Sequence, residues 1–454
     1  MRKMKHLLKD RFSTGMEDRV LHGYDAMNRV FLPDGVAEPE SEADVIAIVN
    51  LCREYGVPLV PRGAGCGFSG GSLAIQGGVI LQMGRMDTIR VDVENLVVEV
   101  GPGAITEDIH RAAESVGLFY PPDPASLKVS TIGGNIAENA GGPRAVKYGV
   151  TRDYVMGVRV VLMNGEVLTF GSPLRKDVAG YNLTPLFVGS EGTLGIITSA
   201  WLKLVPKPEA NRSVMIQFPS ADGAARCISA IVAAGLSPSK LEIMDKSCIT
   251  ALRGAGHAVP EDCDAILLIE VDGPKDSLDP QLDRIEELAD AFSPVGLHRA
   301  ASEAENETIW ELRRELSPII NTFGDAKINE DVVVPRSRIP ELFRKVDELR
   351  ERFQLTIVCF GHAGDGNVHV NFMFNREETG VADRVETALN ELFQAVVGFG
   401  GSISGEHGIG IAKQPYLHYQ LSDQQRTWMK RMKSLLDPDH LLNPGKIFQW
   451  EDDE

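Results

Sequence analysis

No stretch of this chain supplies the run of ~18 consecutive apolar residues that spans a bilayer, and the amino-terminal residues Met1–Phe12 break their short apolar stretch with Lys9 and Asp10. Neither an integral anchor nor a signal peptide is expected. Paired cysteines are missing as well. Cys52, Cys66, Cys227, Cys248, Cys263 and Cys359 lie at least 14 positions apart, with no CxxC to grip zinc or an iron–sulfur cluster. They read as buried free thiols of a reducing compartment, so the expected location is the cytoplasm. Positive charge is in deficit: 46 Lys and Arg against 64 Asp and Glu leave a net charge of −18. Such a field repels phosphate backbones and argues against nucleic acid as a partner. What remains, 454 residues with 43% hydrophobic and 24% charged composition, has the balance of a globular protein with about two or three packed cores. Collagen, coiled coil and wholesale disorder are excluded.

Periodicity becomes regular from Ser41. A capping residue, Asp44 three positions on, apolar Val45, Ile48, Val49 and Cys52 at helical spacing and Gly56 as a stop predict an amphipathic helix. Strands are expected at residues 57–60, 79–83, 96–100, 158–163, 166–170 and 195–204, with a helix over 106–116. Pro206 and Pro208 then punctuate the chain. Beyond them helices are expected at 221–234, 281–292, 303–316, 339–353, 384–397 and 422–436, strands at 265–271 and 331–334, and a hairpin over 356–374. This order suits an α+β layer better than regular βα units. The expected division is an N-terminal helical segment (1–30), a first domain (31–207), a second α+β domain (208–415) and a C-terminal helical segment (416–454) that returns to the first domain. The basic start, Arg2, Lys3, Lys5, Lys9 and Arg11, reads as a solvated helix end, with a docking site for an acidic partner or membrane surface as the alternative.

Glycine is abundant, at 45 residues, and it clusters. Gly65, Gly67 and Gly70 spell GxGxxG, yet Gly71, Gly77 and Gly78 follow and lead into a strand, whereas a dinucleotide fingerprint needs a helix to open at the loop. What survives is the physical core of the motif: consecutive glycines let backbone N–H groups converge on a phosphate. Gly133, Gly134, Gly141 and Gly142 form a second cluster and Ser190–Gly195 a third. Three clusters in one domain point to close backbone approach to something large and flat.

PRGAGCGFSGG (Pro61–Gly71), PPDPASLKVSTIGGNIAENAGG (Pro121–Gly142) and KDVAGYNLTPLFVGSEGTLGIIT (Lys176–Thr198) together resemble the PCMH-type flavin-binding domain of the vanillyl-alcohol-oxidase superfamily. The branch is that of D-lactate dehydrogenase, D-2-hydroxyglutarate dehydrogenase and the flavin-bearing component of glycolate oxidase, and the likeness runs from about residue 30 nearly to the end. It implies an FAD-binding domain followed by an α+β FAD-linked oxidase C-terminal domain. It also implies FAD contacts from Pro61, Arg62, Gly63, Ala64, Gly65, Cys66, Gly67 and Ser69, from Pro122, Asp123, Thr131, Gly133, Gly134, Asn135, Asn139, Gly142 and Tyr148, and from Glu191, Gly195, Ile196 and Ile197. Cys66 stands where many relatives carry Thr. No histidine occupies the first loop, so FAD is expected to be held non-covalently.

Of ten histidines, two stand apart. His362 and His369 flank Ala-Gly-Asp-Gly-Asn-Val in CFGHAGDGNVHVNF, and apolar runs on both sides indicate a hairpin whose turn brings both imidazoles towards one point. Two histidines that merely bracket a loop remain the alternative. Glu406 and His407 in GGSISGEHGIG add a carboxylate beside an imidazole in a glycine-rich loop, an arrangement that is costly unless both groups are paired or functional. Two histidines and a carboxylate make a three-ligand metal site with open positions. The trio also fits a non-haem iron oxygenase, but that chemistry has no use for a flavin domain.

The same family carries GHxGDGNxH and SGEHGxG. The resemblance implies that His362, His369 and Glu406 bind a divalent metal (Zn, Fe or Mn) and that His407 is the catalytic base. Arg313 in IWELRREL and Lys327 in DAKINEDVVVP are candidate cationic contacts for a substrate carboxylate, or plain surface charges. Family likeness places an Arg and a Lys near these positions, adds Ser317 and Asn371 around the substrate, and puts Asn443 of LLNPGKIF near the flavin ring. The implied activity is FAD-dependent oxidation of a small 2-hydroxy carboxylate, with D-lactate or glycolate favoured and D-2-hydroxyglutarate as an alternative. Electrons would pass to an external acceptor: an electron-transfer flavoprotein, an iron–sulfur subunit or a quinone. Rival readings are a non-catalytic electron-relay flavoprotein and an oxygen-using oxidase. A homodimer and a peripheral membrane position through a partner are both compatible with this reading.

Overall fold

The computed structural model describes residues 1–450. The chain folds into two compact units: one built from 1–141, 150–207 and 406 onward, the other from 142–149 and 208–405. The first passage lies at residues 207 and 208, beside Pro206 and Pro208. The return falls at Glu406, ten residues before the expected 416, and the short excursion 142–149 was not anticipated.

Unit 1 holds two larger sheets and a two-stranded antiparallel ribbon of Leu118–Phe119 and Val205–Pro206. Two parallel strands, Gly35–Ala37 and Leu59–Arg62, flank Val79–Gln82, and Phe12–Ser13 adds antiparallel at one edge. The second sheet is antiparallel, ordered Ile89–Asp92, Val97–Val100, Ile196–Lys203, Val155–Val161 and Val167–Gly171. The helix expected after Ser41 runs from Glu42 to Glu54, its N-cap hydroxyl accepting from the Asp44 N–H at 3.2 Å. Its Val45, Ile48, Val49 and Cys52 bury against Leu59, Val79, Leu81 and Leu442. Lys3 and Arg11 of the basic start pair with Glu54 (2.9 Å) and Asp44 (2.6 Å). The second glycine cluster differs from a plain loop. Residues Ile132–Glu138 form a short helix closed by Asn139 in the left-handed region (φ 55°), and a side chain at Gly133 would press into Pro102 at 2.7 Å.

Unit 2 is one seven-stranded, wholly antiparallel sheet with helices on both faces. Its strands are β1 (Ala210–Phe218), β2 (Lys240–Met244), β3 (Ala265–Gly273), β4 (Gly296–Arg299), β5 (Ala326–Val333), β6 (Thr356–Gly361) and β7 (Asn367–Phe374). Their spatial order is β4-β1-β3-β2-β6-β7-β5. Helices α1 (Ala221–Ala233), α3 (Lys275–Asp290), α5 (Ile339–Phe353) and α6 (Val381–Gly398) pack together as one layer. Helices α2 (Lys246–Gly254) and α4 (Glu303–Ile320) lie on the opposite face, sharing a core with Met244, Leu268, Val358, Phe360 and Met373. Three strands (β1, β2, β4) and α2 were not expected from sequence. β5 starts five residues earlier than expected, at Ala326, and α3 starts at Lys275 despite Pro280 inside it.

Candidate active site

Glycine-rich segments of unit 1 line a half-open cavity. Pro61 through Ser69 form one wall, Thr131, Gly133, Gly134 and Asn135 another, and Glu191, Gly195, Ile196 and Ile197 a third; Glu406 and His407 also line it. The first loop is shaped by Arg62, whose buried guanidinium donates to the Tyr24 carbonyl (2.8 Å) and to Ser72 Oγ (3.1 Å). Gly65 takes a positive φ of 70° over that guanidinium, and any Cβ there would collide with it. Glu191, itself left-handed (φ 52°) and buried, accepts from the N–H groups of Ile409 (2.8 Å) and Gly410 (2.7 Å). It thereby fixes the loop that carries Glu406 and His407, even as burial pushes its own carboxyl upward. The His407 ring lies 4.9 Å from that of Phe68, and a side chain at Gly141 would crowd Glu406 Oε2 at 2.8 Å.

This cavity fits a flavin dinucleotide on structural grounds. The hydroxyls of Ser69 and Thr131 line it and are buried without a hydrogen-bond partner, a costly state that a polar ligand relieves. Asp25, which the sequence did not single out, also lines the cavity; its Oδ2 is unpartnered, and burial raises its carboxyl above the usual range. Five of the named cofactor contacts do not themselves line this cavity, although Pro124, beside Asp123, and Glu138 and Ala140, beside Asn139, do. The Pro122 carbonyl is held by His110 Nε2 at 2.9 Å, next to Asp123. Asn139 accepts from the Arg152 N–H at 2.9 Å. Gly142 and Tyr148 belong to unit 2, where the Tyr148 hydroxyl donates to Asp272 at 2.7 Å. A sixth, Asn443, stitches two walls together: its Nδ2 donates to the carbonyls of Gly71 and Glu191, both at 2.8 Å.

In unit 2 the expected hairpin is present. The turn joining β6 to β7 is closed by N–H groups of Asp365 and Asn367 on the His362 carbonyl, each at 3.2 Å. Gly366 (φ 91°) sits where a Cβ would collide with the Val334 carbonyl. The turn places His362 edge-on to His369, ring centroids 5.3 Å apart and planes at 87°. His369 stands opposite Asp331 and Phe360, Asn371 opposite Asn329 and Val358, and Lys327 opposite Met373. Strand alternation therefore puts His369, Asn371 and Lys327 on one face. Lys327 is half-buried, and desolvation lowers its ammonium. Asn371 donates to the Val358 carbonyl (3.1 Å) while its buried Oδ1 has no partner. Arg313 on α4 lies over the Phe360 ring at 4.4 Å, and Ser317 follows one turn later, exposed.

One residue here escaped the sequence reading. Glu242 of β2 is completely buried, with one carboxylate oxygen on His362 Nδ1 and the other on Arg313 Nε at 2.8 Å. Burial alone would raise this carboxyl, but His362 and Arg313 outweigh it and bring it down to about 2. The available signal was a single acid inside an apolar strand, KLEIM, since a buried charge requires partners.

Comparison with known proteins identifies the family. Residues 33–171 match the FAD binding domain family and 207–447 the C-terminal domain of FAD linked oxidases. The chain is 42% identical to glycolate oxidase subunit GlcD of Bacillus subtilis, covering 97% of this chain and 94% of the relative. It is 36% identical to D-lactate dehydrogenase of Anaerostipes hadrus, covering 96% of each. The fold resembles p-cresol methylhydroxylase with a TM-score of 0.83 at 17% identity, over 98% of this chain and 95% of that one. The chain thus belongs to the FAD-linked D-2-hydroxyacid dehydrogenase family, with a PCMH-type FAD-binding domain followed by an FAD-linked oxidase C-terminal domain.

Proposed function

We propose that the protein oxidises a D-2-hydroxy acid, D-lactate or glycolate foremost, to the 2-oxo acid. His407 serves as base, His362, His369 and Glu406 as ligands of a divalent metal ion, and Arg313, Ser317, Lys327 and Asn371 as the substrate's surroundings. The observation that carries this reading is the placement of two edge-on imidazoles on the sheet face that also presents Lys327 and Asn371. Glu406 enters the ligand set through chain connectivity. The adjoining Gly405 donates its N–H to Asp331 at 2.7 Å, and Asp331 stands opposite His369. Two imidazoles and a carboxylate are donors suited to Zn, Fe or Mn.

When bound, FAD supplies a hydride acceptor and the metal ion a Lewis acid. The chain's own residues do the rest. Arg313 and Lys327 neutralise the substrate carboxylate, and the desolvated Lys327 ammonium, which lacks an anionic partner, gains most from one. Asn371 Oδ1 offers an acceptor to the α-hydroxyl or to a bound water. Neutral His407 takes the hydroxyl proton. Electrons then leave to an external acceptor, an electron-transfer flavoprotein, an iron–sulfur subunit or a quinone; among the described residues all six cysteines are unpaired and five are buried.

Anaerobic mixing with D-lactate, L-lactate, glycolate and D-2-hydroxyglutarate tests the proposal. Bleaching of the flavin absorbance by D-lactate or glycolate is expected, and an unbleached flavin with every acid would leave only a relay role. Reduced flavin that persists in air while a dye reoxidises it separates the dehydrogenase from an oxidase.

A further inference from the structure

Glu242 lies at the centre of β2, between Leu241 and Ile243, with no exposed surface. A carboxylate in that position destabilises the fold unless both oxygens are satisfied, and an apolar residue of similar size would commonly pack there at lower cost. Its two partners come from distant parts of the chain. His362 sits 120 residues on, in the turn after β6, and Arg313 sits 71 residues on, in α4. These are the two side chains to which the preceding reading gives a metal ion and a substrate carboxylate.

We infer that Glu242 is a positioning residue that couples metal binding at His362 to substrate-carboxylate binding at Arg313; the inference rests on the proposed function above. The chemistry is specific. An ionised carboxylate only accepts, so His362 carries its proton on Nδ1 and keeps the Nε2 lone pair for a metal. The other oxygen holds Arg313 by Nε, with the Phe360 ring beneath the guanidinium at 4.4 Å, so the two Nη groups remain to fork onto an anion. The two tasks share one negative charge. A cation on Nε2 makes Nδ1–H a stronger donor and draws that charge towards His362, which frees Arg313 to attract a second anion. Metal and substrate each tighten the other's binding, as reciprocity of linked equilibria requires. Neighbouring ion pairs on the sheet lack this form: Lys240–Glu270 (3.0 Å) joins one cation to one anion, next to each other in the β2–β3 ladder.

The test uses the FAD-loaded protein, stripped of metal with a chelator and titrated with Co²⁺, whose ligand-field absorption reports coordination independently of turnover. Wild type is expected to bind Co²⁺ more tightly when pyruvate is present. Glu242→Gln, which keeps the volume and removes the charge, is expected to weaken Co²⁺ about 10- to 100-fold, change the cobalt spectrum, raise KM and abolish the pyruvate effect, with FAD content unchanged. Glu242→Asp restores the charge on a shorter arm and is expected to recover part of the affinity; it serves as the measure if the Gln variant does not fold. His362→Ala separates the coupling from the metal site itself. If it loses cobalt while both Glu242 variants bind as wild type, or if they weaken cobalt with the pyruvate effect intact, the coupling role is overturned and the metal reading stands. If His362→Ala itself binds cobalt normally, the metal reading fails and the inference falls with it.

Discussion

Arg62 and Gly65 are a matched pair: the guanidinium ties the first flavin loop to Tyr24 and Ser72, and it occupies the space that any side chain at position 65 would need. Gly65→Ala is therefore expected to leave a folded chain that no longer retains FAD through gel filtration, whereas alanine at Gly398 of α6 in unit 2, where nothing lies within 4 Å, should retain it. His407→Ala should keep FAD and lose turnover about 10²- to 10⁴-fold, the usual contribution of a general base; near-normal rates would remove it from the mechanism. Lys446 gives a pH signature. Burial lowers its ammonium from 10.5 to about 8, with Glu191 and Asp25 opposing the shift. The unfolded chain then binds more protons between those values, so this group makes stability rise with pH from about 8 to about 10.5. In urea denaturation, the difference between wild type and Lys446→Met should change across that window and be flat below it. At this scale the sequence showed the residues that stand in motifs, because backbone and chemical demands leave a compositional mark. Asp25 and Glu242 carried no such mark: each is a lone acid whose importance depends on what folding brings beside it.

Helices with a clean apolar stripe were legible, and α5 matches its expected span of 339–353 residue for residue. The misses have physical causes. β1 and β2 read as ANRSVMIQF and KLEIM, and β2 is buried on both faces; the period-2 alternation that marks a half-exposed strand is therefore absent. Pro280 suggested a later start for α3, but Leu278, Leu282, Ile285 and Ala289 share a buried stripe that outweighs the cost of about 3 kcal/mol for an interior proline. The turn between β6 and β7 was read correctly because it depends on glycine. Gly366→Ala forces a Cβ into a left-handed residue and onto the Val334 carbonyl, and is expected to cost on the order of 2 kcal/mol or more in chemical denaturation. The same variant should retain FAD, since the flavin cavity is lined by unit 1 alone.

For the molecule as a whole, the return of the chain to the first unit was expected from sequence, but not its start at Glu406 or the excursion of 142–149. Ending the chain after Gly405 would leave β1–β7 and their helices complete, yet would remove Leu442, which bridges Leu59, and Asn443, which holds Gly71 to Glu191. Such a truncation is expected to keep antiparallel sheet by circular dichroism and to purify colourless; a yellow product would show that these ties are dispensable. Among the described residues no helix is long and apolar enough to cross a membrane.

The discontinuity of unit 1 also sets an order of events during biosynthesis. A ribosome delivers the loops Pro61–Gly71 and Ser190–Gly195 early, but Asn443, which ties one to the other, emerges only after all of unit 2 has been translated. The nascent polypeptide must hold an unfinished nucleotide cradle for more than two hundred codons, so capture of the prosthetic group belongs to the last stage of maturation.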